Sequence, residues 1–98
     1  MFKSICIIAA LSAAPFAAQA QTVSETCEKV GELAGLIMTA RQNGAAISKV
    51  MAAMDADSFE QLVINAYEQP RYSGQEYKKR AVEDFRNEVE TACFKEFL

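Results

Sequence analysis

The sequence predicts an all-α protein, a small bundle of about four helices closed by one disulfide, preceded by a signal peptide that is removed. Two observations support this fold class. Apolar residues recur every three or four positions without the alternation of a strand. Two cysteines lie near opposite ends of the chain that follows an apolar N-terminal segment. The chain is therefore divided into a signal peptide over residues 1–20 and a single helical domain over residues 21–98.

The first twenty residues have the three parts of a secretory signal peptide. Lys3 supplies the N-terminal charge, residues 5–18 are mostly apolar, and Ala18-Gln19-Ala20 has the small residues that signal peptidase accepts. The apolar run is shorter than the roughly 18 to 20 residues that cross a bilayer, and Pro15 interrupts it. We expect cleavage after Ala20, a periplasmic or secreted location, and no stable membrane insertion of the mature chain.

The cysteines indicate an oxidised protein. Cys6 leaves with the signal peptide, whereas Cys27 and Cys93 remain. In an oxidising compartment such a pair predicts a disulfide. A zinc site needs more ligands close together, and the chain has no histidine and no Cys-x-x-Cys.

The first helix of the mature chain is expected to begin at Thr22, where Thr22 and Glu25 have the spacing of a capping box. It is expected to end at Asn43-Gly44, because these residues tolerate a positive φ. Gln42 falls on its predicted polar side. The predicted apolar face comprises Val23, Cys27, Val30, Ala34, Ile37 and Met38.

Three further helices follow. A short one carries Ile47 to Met54, and a third begins at Asp57 and ends before Pro70, which disfavours helical geometry in the preceding residue. The fourth begins after Ser73-Gly74 and is expected to be the longest. A Cys27–Cys93 bridge makes the first and fourth helices antiparallel. The predicted apolar face of the fourth helix comprises Tyr77, Ala81, Val82, Phe85, Val89, Ala92, Cys93 and Phe97.

No catalytic residue, cofactor or metal site is predicted. Without histidine the usual general base near neutral pH is missing. The carboxylate pairs Asp55 with Asp57 and Asp84 with Glu88 are better explained as turn, cap or helix-surface residues. Thioether ligation of copper is the alternative to core packing for three methionines. These are Met38, Met51 and Met54.

The charge pattern argues against nucleic acid as a partner. The full chain carries −3, and loss of Lys3 makes the mature chain more acidic still, whereas phosphate contacts need clustered Lys and Arg. The run Lys78-Lys79-Arg80 is interleaved with acidic residues. It is therefore interpreted as a solvated helix face.

The candidate partner-binding residues are Arg71 and Tyr72, which follow Pro70 in a connection expected to be exposed. Tyr and Arg are favoured at binding hot spots. The alternative is that Tyr72 folds back on the core and Arg71 pairs with a carboxylate. A second feature is the small-xxx-small spacing of Gly31 and Gly35, which lets another helix approach closely.

Several of these residues also carry a resemblance. The arrangement of Cys27, Arg41-Gln42-x-Gly44, Ala66-Tyr67-Glu68-x-Pro70-Arg71, Phe85 and Cys93 resembles small exported, single-disulfide helical proteins of proteobacteria and their phages. The likeness covers most of the mature chain and implies export and the disulfide. No activity is known for that group, so it implies no site.

The sequence therefore favours a non-enzymatic periplasmic or secreted module that binds or inhibits another protein. The alternative is a small acid-stress chaperone of the periplasm. Such chaperones are likewise helical and bridged once, although the cysteine spacing here is wider.

Overall fold

The computed structural model describes residues 2–54 and 59–97, with side chains from residue 22 onward. These residues form four helices and no β-strand: α1 (Phe2–Gln42), α2 (Ile47–Ala53), α3 (Glu60–Glu68) and α4 (Gln75–Phe97). The predicted all-α fold is confirmed. Asp57, the expected start of the third helix, lies outside the described residues.

The predicted start of the first helix at Thr22 is wrong for the full chain. α1 runs without a break through Thr22 and is 41 residues long, so it exceeds the 23 residues of α4 in the full chain, whereas within residues 21–98 α4 is the longest helix, as predicted. A capping box starts a helix only where the preceding backbone leaves helical geometry, and the alanine-rich segment before Thr22 favours the helix. Residues 21–42 alone nearly match α4 in length. Cleavage after Ala20 stays a prediction.

The end of α1 agrees with the prediction. Gly44 has φ +86°, and its N–H donates to the carbonyl of Arg41 at 3.1 Å. The N–H of Ala45 donates to the carbonyl of Ala40 at 3.0 Å. This pair of hydrogen bonds around a left-handed glycine is a Schellman motif, and it turns the chain towards α2.

The end of α3 was also predicted. Gln69, the residue before Pro70, has φ −76° and ψ 149°, which is extended backbone. The ring of Pro70 excludes helical geometry at Gln69 by steric clash. Residues 69–74 therefore form an irregular connection between α3 and α4.

α1 and α4 pack antiparallel, as predicted, and α3 packs against α1 and α2. Cys27 near one end of the packed region is bonded to Cys93 late in α4, and Gln42 at the other end contacts Lys78 early in α4. The core confirms the predicted apolar face of α1, and α3 contributes two buried residues to it. Its buried members are Ala34, Ile37, Met38, Val63, Ala66 and Phe85.

The ends of the predicted apolar face of α4 are wrong. Tyr77 is 61% exposed, Phe97 is 58% exposed, and Ala92 is also exposed. At 3.6 residues per turn, Tyr77 lies about 80° and Phe97 about 120° around the helix from Phe85, so both leave the stripe that faces α1.

The disulfide joins Cys27 to Cys93 with a Cα–Cα distance of 5.5 Å, as predicted. Cys27 is fully buried and Cys93 is half-buried. The bond ties the outer end of the packed part of α1 to the last turns of α4.

Candidate functional site

The connection between α3 and α4 is held by Gln42, the last residue of α1. Gln42 is 1% exposed, so its predicted place on the polar face is wrong. Its Nε2 donates to the carbonyl of Pro70 at 2.9 Å, and its Oε1 accepts the N–H of Tyr72 at 2.8 Å. Gln42 lies four residues after the buried Met38, and this helical spacing is the sequence signal that indicates its buried position.

The main-chain carbonyl of Gln42 is a second anchor. It accepts Nε of Arg71 at 3.1 Å and Nζ of Lys78 at 2.8 Å. The last carbonyls of a helix have no partner within the helix and carry its negative dipole end, so cationic donors stabilise them. Lys78 is half-buried here, which corrects its assignment to a solvated face, whereas Lys79 and Arg80 are exposed as expected.

Gly44 is required by both its backbone and its surroundings. Its φ of +86° favours glycine, and a Cβ built on it would lie 2.8 Å from Nη2 and 2.9 Å from Cζ of Arg71. The guanidinium of Arg71 therefore lies directly against the turn that ends α1.

A second set of contacts holds the start of the connection. Arg41 donates from Nε and Nη2 to the carbonyl of Gln69 at 3.1 and 3.0 Å. The guanidinium carbon of Arg41 also lies 5.3 Å from the ring centroid of Tyr67, and the hydroxyl of Tyr67 donates to the carbonyl of Ala45 at 2.7 Å. The connection is fixed at both ends although it contains no helix.

Tyr72 and Tyr77 form an aromatic pair on the outside of this connection. Their ring centroids are 6.3 Å apart and their planes are inclined by 30°. Tyr72 is 41% and Tyr77 is 61% exposed. The ring of Tyr77 lies over Gly74, where a Cβ would be 3.2 Å from Cδ2 of Tyr77. The backbone of Tyr72 is held by Gln42, and the residue borders Met38 and Phe85 on one side while 41% of it stays exposed.

The two predicted partner-binding residues thus lie side by side. Arg71, Tyr72, Ser73 and Lys78 surround an open pocket of about 360 Å³. Arg71 is exposed, and its described partner is a backbone carbonyl rather than the carboxylate that the alternative required. Among the described residues the single ion pair is Arg86 with Glu90, at 2.9 Å.

That ion pair belongs to a charged cluster between α1 and α4. The hydrogen bond from Nε of Arg86 to Glu90 raises the pKa of Arg86, partial burial lowers it, and the negative charges of Glu90, Glu32 and Glu28 raise it further. Arg86 therefore stays charged at every physiological pH.

Gly31 and Gly35 are both buried where α4 crosses α1, so the predicted close approach of another helix is confirmed. A Cβ at Gly31 would overlap the side chain of Glu90, whereas a Cβ at Gly35 would lie 3.8 Å from Cγ1 of Val82. The helix that approaches these glycines is therefore α4 of the same chain.

No family model, curated protein or solved structure matches the chain in the comparisons made with it. No helix within the described residues is long and apolar enough to cross a membrane. The same residues contain no group of three or more His, Cys, Asp or Glu placed to hold a metal ion.

Proposed function

We propose that this chain is a non-enzymatic protein-interaction module of the periplasm or the extracellular medium, which binds or inhibits another protein. The proposed contact is the turn surface, formed by Arg71, Tyr72, Tyr77 and Lys78. The observation that carries the proposal is the exposed Tyr72–Tyr77 pair on a connection whose backbone is held by Gln42.

A fixed turn favours tight binding because little conformational freedom is lost when the partner docks. The backbone beside Tyr72 is bonded through both polar atoms of the Gln42 side chain, and the tyrosine rings stack on each other. Tyrosine and arginine are enriched among residues that carry most of the binding energy of an interface.

Photo-crosslinking tests the contact directly. A benzophenone amino acid at Tyr72 should give one discrete adduct in cells, and mass spectrometry of that adduct identifies the partner. The matched control is the same amino acid at Gln61, which is exposed on α3 away from the turn surface. Equal adducts from both positions, or none from Tyr72, contradict the proposal.

With the partner in hand, binding is measured for the double variant Arg71→Ala with Tyr72→Ala. We expect a loss of about tenfold or more, or at least ~1.4 kcal/mol. The double variant also removes the hydrogen bond from Arg71 to the end of α1. Tyr77→Ala therefore provides a second variant, because Tyr77 is largely exposed and its loss leaves the core packing intact. Helical circular dichroism and melting temperature serve as fold controls. Unchanged binding by folded variants removes the turn surface from the interface.

The alternative is an acid-stress chaperone, favoured by one observation. Arg86 on α4 pairs with Glu90 on the same helix, and the negative charges of Glu28 and Glu32 on α1 attract it across the α1–α4 contact. A chaperone role requires acid to weaken this attraction and loosen α1 from α4, which would expose apolar surface to client proteins. Light scattering of an aggregating client at low pH tests this role, and suppression of aggregation supports it.

A further inference from the structure

We infer that the turn surface recognises a carboxylate carried on an apolar segment of the partner protein, with the carboxylate held between Arg71 and Lys78. This names the chemistry of the partner and rests on the proposed function. Two features of the turn surface support it, namely the placement of its positive charges and its pair of aromatic rings.

Two cationic groups converge on a single carbonyl. Nε of Arg71 and Nζ of Lys78 lie 3.1 and 2.8 Å from the oxygen of Gln42, so they are at most about 6 Å from each other. The end of a helix supplies only about half a negative charge, against two full positive ones. No carboxylate of the described residues forms an ion pair with either side chain. The pocket therefore keeps a net positive charge that a carboxylate would balance.

Both cations that line the pocket keep N–H donors without a hydrogen-bond partner in the described part of the chain. Arg71 donates to Gln42 from Nε, and its terminal nitrogens make no hydrogen bond within the described part of the chain. The ammonium of Lys78 has three N–H groups and uses one of them on Gln42. A carboxylate accepts through two oxygens, and such charge-assisted hydrogen bonds are roughly twice as strong as neutral ones.

The aromatic pair favours a protein segment over a small anion. Tyr72 lines the pocket and stacks with Tyr77, and both rings are exposed beside the two cations. An inorganic anion would leave these rings uncovered, whereas an apolar side chain next to the carboxylate would pack on them. The net charge of −3 also opposes the long-range approach of a polyanion.

Chemical-shift titration of the purified, disulfide-bonded protein tests the inference with two matched peptides. Acetyl-Leu-Asp-Leu-amide should shift the backbone amides of Tyr72, Ser73 and Lys78 in a saturable manner. Acetyl-Leu-Asn-Leu-amide, in which a neutral amide replaces the central carboxylate, should bind at least fivefold more weakly. Added NaCl should weaken the first peptide more than the second, because salt screens exposed charges.

The variants Arg71→Gln and Lys78→Gln each remove one charge while keeping an N–H donor for the Gln42 carbonyl. Each should weaken the aspartate peptide at least fivefold. Lys79→Gln removes a neighbouring exposed charge outside this pocket and should leave the affinity unchanged. The melting temperature of each variant shows whether it is folded. The comparison of the two peptides uses the unaltered protein, so its result does not depend on the folding of any variant.

Equal affinity for the two peptides would overturn the inference. Inorganic phosphate that binds the same residues as tightly as the aspartate peptide would overturn the choice of a protein segment. If no probe gives saturable shifts while partner binding still depends on Arg71 and Tyr72, the carboxylate is wrong and the proposed function stands. If partner binding does not depend on those residues, the proposed function itself is wrong.

Discussion

The N–H of Tyr72 donates to Oε1 of the Gln42 side chain at 2.8 Å, although the two residues are 30 positions apart in the sequence. The same side chain donates to the carbonyl of Pro70 at 2.9 Å. One amide thus replaces the partners that a helix or sheet would have given to this stretch of backbone. The shape of the turn surface consequently depends on the last residue of α1.

The first prediction concerns this amide. Gln42→Leu keeps the volume of the side chain but leaves the Pro70 carbonyl and the Tyr72 N–H without their partner, so we expect a loss of about 1 to 3 kcal/mol in the free energy of unfolding. Gln61→Leu is the control, because Gln61 is an exposed glutamine whose hydrogen bond to Asn65 lies on the surface. It should change stability by less than about 0.5 kcal/mol. Urea unfolding of both variants checks this, and equal stabilities would show that the Gln42 bonds are replaced by water.

The fold was more predictable than this site. Cys27, Ala34, Ile37 and Met38 repeat at helical spacing, and the ends at Gly44 and Pro70 follow from local backbone chemistry. Such features depend on residues a few positions apart, so a sequence pattern contains them.

The site depends on distant pairs instead. The partners of Gln42 lie 28 and 30 residues away, and the carbonyl that binds Lys78 lies 36 residues before it. A polar residue at the end of a helix is predicted to be exposed to solvent unless its hydrogen-bond partner is known. The helical repeat of three to four residues does not reveal a partner that lies about thirty residues away. For this reason the sequence wrongly places Gln42 and Lys78 on solvated faces, whereas the prediction for Arg71 and Tyr72 depends only on residue type beside a proline.

The second prediction concerns the disulfide, which spans 66 residues of sequence. Cys27→Ser and Cys93→Ser should each cost on the order of 2 to 5 kcal/mol. Cys27→Ser should be the less stable of the two by about 1 kcal/mol, because it places a hydroxyl at a fully buried position whereas Cys93 is half-buried. Thermal unfolding beside the chemically reduced wild type measures both effects. Variants that melt within a few degrees of the oxidised protein would show that the bond adds little.

The third prediction concerns processing. The exported protein should begin at Gln21, and its non-reduced mass should be lower than the reduced-sequence mass by the two hydrogens that a disulfide removes. Ala20→Leu should block cleavage, because signal peptidase requires a small residue at that position. Intact mass spectrometry checks both proteins. Retention of residues 1–20 in the wild type, or two free thiols, would contradict the prediction.

The last prediction separates two glycines of α1 that are four residues apart. Alanine in place of glycine stabilises a helix by up to about 1 kcal/mol where the space is free. At Gly35 the nearest atom to a new Cβ is Cγ1 of Val82, at the ordinary contact distance of 3.8 Å, so Gly35→Ala should raise the melting temperature by several degrees. At Gly31 the new Cβ would overlap the side chain of Glu90, which must leave its position and its ion pair with Arg86.

Gly31→Ala should therefore melt below Gly35→Ala, and adding Glu90→Ala should restore most of the difference. Restoration would show a clash between these two side chains rather than a general intolerance of α1 towards alanine. Glu90→Ala alone measures the separate effect of losing the ion pair with Arg86. Differential scanning calorimetry of the four variants measures the coupling between positions 31 and 90. Additive effects of Gly31→Ala and Glu90→Ala would show that α4 does not pack on Gly31 in the way described.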